Sequence, residues 1–233
     1  MKLPLFCLAL LAAVASAAPG AKHTCRILFL DGPDDAPRTL HLFDGATSRE
    51  VDLPRLNLSD VYDLPGGPLT LRLLPEPPAD PEKIPAGAPS VSIASEAGDF
   101  YLLLTSDPQN KIAPVKIRAI DASTDKLRAG QMLWFNLTQS MVGGTIGSEK
   151  LVLKPGTKVT LNPPAKGNDN YPVLLDYRIP GKESLYPLCE TSWRHDPRSR
   201  SLAFVVPGKN GRTPRVMAFP DYREPEEDAE GAP

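Results

Sequence analysis

The second half of the chain reads as a worn copy of the first. At an offset of 100 residues, Leu102-Leu103-Leu104 falls on Leu202-Ala203-Phe204, Asn110 on Asn210, Pro114 on Pro214 and Asp121 on Asp221. No gap is needed between 100–121 and 200–221. Upstream, Ser48, Val51, Leu53 and Val61 fall on Ser148, Leu151, Leu153 and Leu161 at the same offset. The apolar openers Ile27-Leu28-Phe29-Leu30 and Met132-Leu133-Trp134-Phe135 correspond after a further shift of five. Self-similarity of this kind fixes architecture before any motif is read. It predicts an all-β chain of two tandem antiparallel β-sandwiches, immunoglobulin-like or transthyretin-like, over 24–122 and 127–222.

The local pattern agrees. Cys25–Leu30 is apolar on both faces, as a central strand is. Thr39–Phe43 alternates towards Asp44-Gly45, a dipeptide that favours positive φ and a tight hairpin. Pro65-Gly66-Gly67-Pro68 turns the chain into Leu69–Leu74, and Val91–Ala94, Phe100–Ser106 and Val115–Ile120 close the first module. That makes roughly seven to eight short strands, the signature of a sandwich. Module two repeats the programme from Met132–Leu137 through Ser201–Val206, a Gly208–Gly211 hairpin turn and Arg215–Phe219. The 27 prolines are spread across turns, which shortens strands and excludes long helices. Asp121–Gly130 is a polar linker with room for one helical turn. Leu28, Leu30, Leu71, Leu73, Leu102 and Leu104 are expected in the first core. Leu133, Phe135, Leu153, Leu174, Phe204 and Met217 are expected in the second.

Residues 1–17 carry the marks of a secretory signal peptide: Lys2, the apolar run Leu5–Ala15, and Ala15-Ser16-Ala17 as cleavage pattern. That run is short for a bilayer, and no later segment approaches membrane-helix length. The expected address is secreted or periplasmic, with no membrane span. Residues 223–233 are acidic, lack large apolar groups and are expected to be a disordered tail. Charge is balanced, 26 Lys+Arg against 28 Asp+Glu, and no basic block gives a nucleic-acid footprint. Cys25 and Cys189 remain after the leader. An oxidising compartment permits a disulfide between them; the alternative is two buried small hydrophobes. Cysteines and histidines are too few for a zinc site. Asp31, Asp34 and Asp35, and likewise Asn168, Asp169 and Asn170, read as turn residues and not as a calcium loop. Neither a metal nor a cofactor is expected. Asn57-Leu58-Ser59 and Asn136-Leu137-Thr138 are glycosylation acceptors only in a eukaryotic source.

The richest cluster is Trp193-Arg194-His195-Asp196-Pro197-Arg198-Ser199-Arg200. Guanidinium forks suit carboxylate or phosphate, and Trp beside Arg can stack on a sugar or a peptide. Trp193, Arg194, His195, Arg198 and Arg200 are therefore the candidate binding residues. The plain alternative is a solvated turn in which Trp193 plugs the sandwich edge and the arginines pair with nearby acids. A third expectation places Arg118 and 193–200 at the seam between modules, with Trp193 as a wedge. Catalysis finds little support. Adjacent His195 and Asp196 diverge on a strand, and no G-x-S-x-G, H-E-x-x-H, phosphate loop or dinucleotide fingerprint exists. His41 sits in a strand, and His23 is assigned to a mobile N-terminal stretch.

Three segments of the first module then form a pattern: D-G-P-D-D-A-P at 31–37, L-H-L-F-D-G at 40–45, and L-N-L-S-D-V-Y-D-L-P-G-G-P-L-T-L-R at 56–72. It resembles a widespread family of bacterial extracytoplasmic domains of unknown function. The resemblance implies a small β-sandwich at the cell surface or in the periplasm, and it transfers no site. An extra Asp interrupts P-D-A-P, and the second module has lost these marks. The expected function is that of an exported, non-catalytic structural or binding protein whose partner is an envelope protein or surface polymer. The alternatives are a hydrolase with its site near Trp193–Asp196 and a carbohydrate-binding module.

Overall fold

The computed structural model describes residues 22–208 and 213–223. The expected leader, most of the expected Gly208–Gly211 turn, and the tail beyond Arg223 lie outside the described residues. The chain is all-β, with sixteen strands and no helix among the described residues. The first eight are β1 (His23–Phe29), β2 (Thr39–Phe43), β3 (Ser48–Asp52), β4 (Tyr62–Leu64), β5 (Leu69–Leu74), β6 (Ser90–Ile93), β7 (Asp99–Ser106) and β8 (Val115–Asp121). The second eight are β9 (Met132–Asn136), β10 (Met141–Ile146), β11 (Glu149–Leu153), β12 (Lys158–Leu161), β13 (Asn170–Arg178), β14 (Tyr186–Arg194), β15 (Ser199–Val206) and β16 (Arg215–Tyr222).

The strands form four sheets, β4-β1-β7-β8 and β3-β2-β5-β6, then β12-β9-β15-β16 and β11-β10-β13-β14. Adding eight to every strand number of the first pair of sheets gives the second pair. Immunoglobulin sandwiches place strands 1, 2, 5 and 4 in one sheet and 3, 6 and 7 in the other. The observed orders therefore leave the transthyretin-like alternative. Each sandwich also departs once from antiparallel pairing: β1 runs parallel to β7, and β9 to β15. Parallel neighbours cannot be joined by a hairpin, so the chain crosses to the other sheet between them.

Strand alternation builds a four-layer stack. Ile27, Leu102 and Leu104 point into the first core with Leu71 and Leu73. Leu28, Tyr101 and Leu103 point the other way and meet Leu133, Phe135 and Phe204 across a seam between the sandwiches. Trp134, Ala203 and Val205 leave the far side of that second sheet and meet Val173 and Leu175. The two middle sheets are thus buried on both faces, which is why their central strands read as continuous apolar runs. Phe135 and Phe204 stack across the seam surface with centroids 5.1 Å apart. Each fully buried Leu or Phe there contributes about 1.5–3 kcal/mol. The linker belongs to the seam as well. Backbone N–H groups of Lys126 and Leu127 both donate to the Ser123 carbonyl, making one turn that plants Leu127 among the seam residues.

The register places both starts and both ends of the modules at one end of the stack. Thr24 at the start of β1 lies beside Asp99, and Asp121 at the end of β8 lies beside Phe100. Likewise Met132 opens β9 beside Ser201, and Tyr222 closes β16 beside Ser199. Contacts from Arg200 to Asp99 and Ala122 tie these two ends together.

Several expectations are corrected. Leu28, Leu30, Leu133, Phe135, Phe204 and Met217 are packed in the seam and not in a module core. Leu174 is 45 % exposed on the outer face of β13, while its neighbours Val173 and Leu175 are the core residues. A slip of one residue along a strand inverts inside and outside. His23 is not in a mobile stretch: it is the first residue of β1, fully buried, and its ring nitrogens contact the carbonyls of Ala97 and Gly67. Cys25 and Cys189 are both free. Cys25 lies in the first core and Cys189 at the rim of the second, with the two middle sheets between them. Layers stack roughly 10 Å apart, and a disulfide needs Cα atoms within about 7 Å. Burial pushes the Cys25 thiol up to about 12. The long 75–90 loop covers the outer face of β2 and β5, packing Ile84 and Ala88 on Phe43 and Leu74.

Candidate functional site: a cleft and a buried ion network on opposite faces of one sheet

The 193–200 cluster is divided by the alternation of β15 and β16. Cross-strand pairs are Ser199 with Tyr222, Arg200 with Asp221, and Ser201 with Pro220. The middle pair faces the seam. The outer pairs face the opposite side, where a cleft opens between β14 and β16.

On the seam side, Asp221 is fully buried and is the centre of an ion network. Its carboxylate accepts from Arg200 at 2.8 Å, from Arg223 at 3.0 Å and from the Tyr101 hydroxyl at 2.5 Å, and pairs with Arg26 at 2.8 Å. Arg200 also donates to Asp99 at 2.6 Å and to the Ala122 carbonyl at 2.6 Å. Asp99, Tyr101 and Arg26 come from the first sandwich, Arg200, Asp221 and Arg223 from the second segment of the chain. Burial alone would push the Asp221 carboxyl up. The Tyr101 hydrogen bond and the Arg223 and Arg200 charges outweigh it and hold the carboxyl below the ordinary aspartate value. The network locks one sandwich to the other.

On the other side, the cleft encloses about 250 Å³. Met132, Tyr171, Trp193 and Tyr222 supply its apolar walls, and Arg194, His195, Ser199 and Ser201 its polar ones. Trp193 is fixed by stacking on buried Trp134, with centroids 5.9 Å apart and planes 6° apart. Tyr171 meets both Trp193 and His195 edge-on at 6.4 Å. His195 is 5 % exposed, and its backbone N–H is tied to the Asp169 carbonyl at 2.9 Å. Its ring makes no hydrogen bond among the described residues. Gly130, at φ +80°, sits against it: a Cβ there would lie 3.1 Å from Pro163 and 3.4 Å from the His195 ring.

Asp196 does not serve His195. Its carboxylate accepts from Arg198 through Nε at 3.2 Å and a terminal nitrogen at 3.0 Å, and Arg198 holds it below the ordinary aspartate value. Ser199 Oγ donates to the Asp196 carbonyl at 3.2 Å. Nucleophile, base and orienter are therefore not joined in a chain here. Arg194 is exposed at the cleft rim and makes no ion pair among the described residues.

The five candidate residues thus part company. Trp193, Arg194 and His195 share the cleft, Arg198 is in solvent with Asp196, and Arg200 is in the seam. Trp193 is not a wedge between modules: it packs on the second core. Arg118 is exposed on edge strand β8. Sequence reasoning missed Asp99, Tyr101, Arg26 and Arg223 in the network, and Tyr171 and Tyr222 in the cleft. The one signal was the Ser-Arg-Ser alternation at 199–201, which splits a strand's two faces. Of the two glycosylation acceptors, Asn57 is exposed, whereas Asn136 is buried and donates to the Ser140 carbonyl at 2.7 Å. No protein-family model matches the chain, and no curated protein matches it.

Proposed function

We propose that this chain is an exported, non-catalytic binding protein of the cell envelope or extracellular space, in which the second sandwich carries the binding site and the first is its rigid mount. The observation that carries the reading is the cleft, which is lined by aromatic rings, hydroxyl groups, a guanidinium and a buried His195 with an uncommitted ring. The leader pattern at 1–17 supports export. The matching strand orders support descent of both modules from one duplicated unit, and divergence of role follows from their corners. In the first sandwich β6 closes against β8, whereas β14 and β16 stand further apart and leave the cleft.

An envelope protein or surface polymer fits such a concavity. The test is retention from a native envelope extract on immobilised mature protein, wild type beside Tyr222→Ala. Tyr222 is 55 % exposed at the rim, so its removal leaves the core alone. Retention by wild type that is lost in the variant supports the reading. Equal retention by both overturns the cleft as the site. Hydrolysis of an extract component that vanishes in His195→Asn would favour the hydrolase alternative.

A further inference from the structure

We propose that the cleft recognises a single carboxylate-bearing pyranose ring, as in a hexuronate unit of an acidic polysaccharide; this deepens the binding function above and rests on it. Size comes first. At about 250 Å³ the cleft is smaller than the roughly 300 Å³ at which pockets for drug-sized ligands begin, so it takes one ring-sized group. The chemistry of the walls comes next. A pyranose has apolar C–H faces and a hydroxylated rim. Trp193, Tyr171 and Tyr222 offer aromatic surface for the faces. Ser201 Oγ and the His195 ring, neither hydrogen-bonded among the described residues, offer partners for the rim. A flat apolar ring would leave those polar groups desolvated and unmatched.

Charge selects the acid. Asp196 is neutralised by Arg198 at 3.0 Å, so the unmatched charge at the rim is that of Arg194. A guanidinium binds a carboxylate with two parallel hydrogen bonds, and a neutral sugar cannot supply that pairing. The site is also prepared in advance. Trp193 is held by its stack on Trp134, so little side-chain freedom is lost on binding.

The experiment is calorimetric titration of the mature protein with oligogalacturonate, with the same oligomer as its methyl ester, and with free galacturonate. The expected result is binding of the acid, weakened at least about tenfold by esterification and again by Arg194→Gln. Raising the salt should weaken it further, as for any exposed charge pair. Arg194 is exposed and unpaired, so the variant folds; Trp193→Phe, which keeps a ring on Trp134, should weaken acid and ester alike. Equal binding of free galacturonate and oligomer assigns a chain-end ring, and preference for the oligomer an internal one. If the ester binds as well as the acid, or polyglutamate competes as well as oligogalacturonate, the proposal is overturned. No binding of either sugar also overturns it, and retention of an envelope component that depends on Tyr222 then leaves the binding function standing alone.

Discussion

At the scale of the residue, Asp221 shows what one buried charge can hold. It has no exposure and is served by three guanidiniums and a phenol drawn from both sandwiches. Removing its charge takes from Arg26 its ion-pair partner and leaves Arg200 and Arg223 to share Asp99 alone, and breaking a buried pair costs about 3–5 kcal/mol in comparable sites. Asp221→Asn should therefore lower the urea midpoint markedly, while Arg198→Ala, at an exposed pair, should shift it hardly at all. The pH dependence has a definite sign. The folded carboxyl lies below the unfolded value of about 3.9, so its stabilisation is complete above that value and is lost as pH falls through the folded one. Urea midpoints should be flat in this contribution from neutral pH down to about pH 5 and fall below it. Asp221→Asn should lack that acid limb; an unchanged limb would mean that other carboxylates cause it. Little of this was legible in the sequence. Arg200 was visible as one of three neighbouring arginines, but alternation sends it to the opposite face from Ser199 and Ser201. Its partner Asp99, and the Tyr101 that shares Asp221 with it, lie about a hundred residues away, beyond any local pattern.

At the scale of the element, the repeat was half legible. The offset of 100 pairs Val51 with Leu151 and Leu53 with Leu153, and all four point into their own cores. The further shift of five is also in phase, since Ile27 and Met132 both face inward. For β7 and β15 the same offset fails by one residue: Leu102 faces the first core and Leu202 the seam. Identity at Leu, Asn, Pro and Asp marks the strand but not its phase, because a strand buried on both faces is apolar at every position. The parallel pairs were invisible for another reason, since turn residues announce hairpins and not crossovers. Gly144 on β10 carries a sharper constraint. At φ +149°, a Cβ there would lie 1.9 Å from the Leu174 carbonyl oxygen on β13. Gly144→Ala should lower stability by more than about 1 kcal/mol. Amide exchange should quicken along the β10–β13 ladder first, and an unchanged ladder would show that the backbone relaxes without loss.

At the scale of the molecule, the seam makes the two sandwiches one unit. Leu28, Tyr101 and Leu103 on one side, and Phe135, Phe204 and Phe219 on the other, would face water if the modules parted. Exposed apolar patches of that extent drive association. Residues 22–122 expressed alone should elute from a sizing column as dimers or larger species, or fail to remain in solution. A well-behaved monomer would show that the first sandwich does not need its partner. The linker's flanking apolar residues, Ile120 and Leu127, both lie in that seam.

The gathering of all four module ends at one end of the stack gives the molecule a direction. The chain comes in beside Asp99, crosses over near Ala122 and Leu127, and goes out past Tyr222, at the end where the cleft opens. Whatever is fastened to either terminus, an anchor, a fusion partner or a purification handle, is leashed next to the cleft mouth, and the turns at the opposite end point outward. A protein immobilised by its ends would show a visiting polymer its blunt side; one held by the hairpin turn between Ser106 and Val115, at the far end of β7 and β8, would show it the cleft.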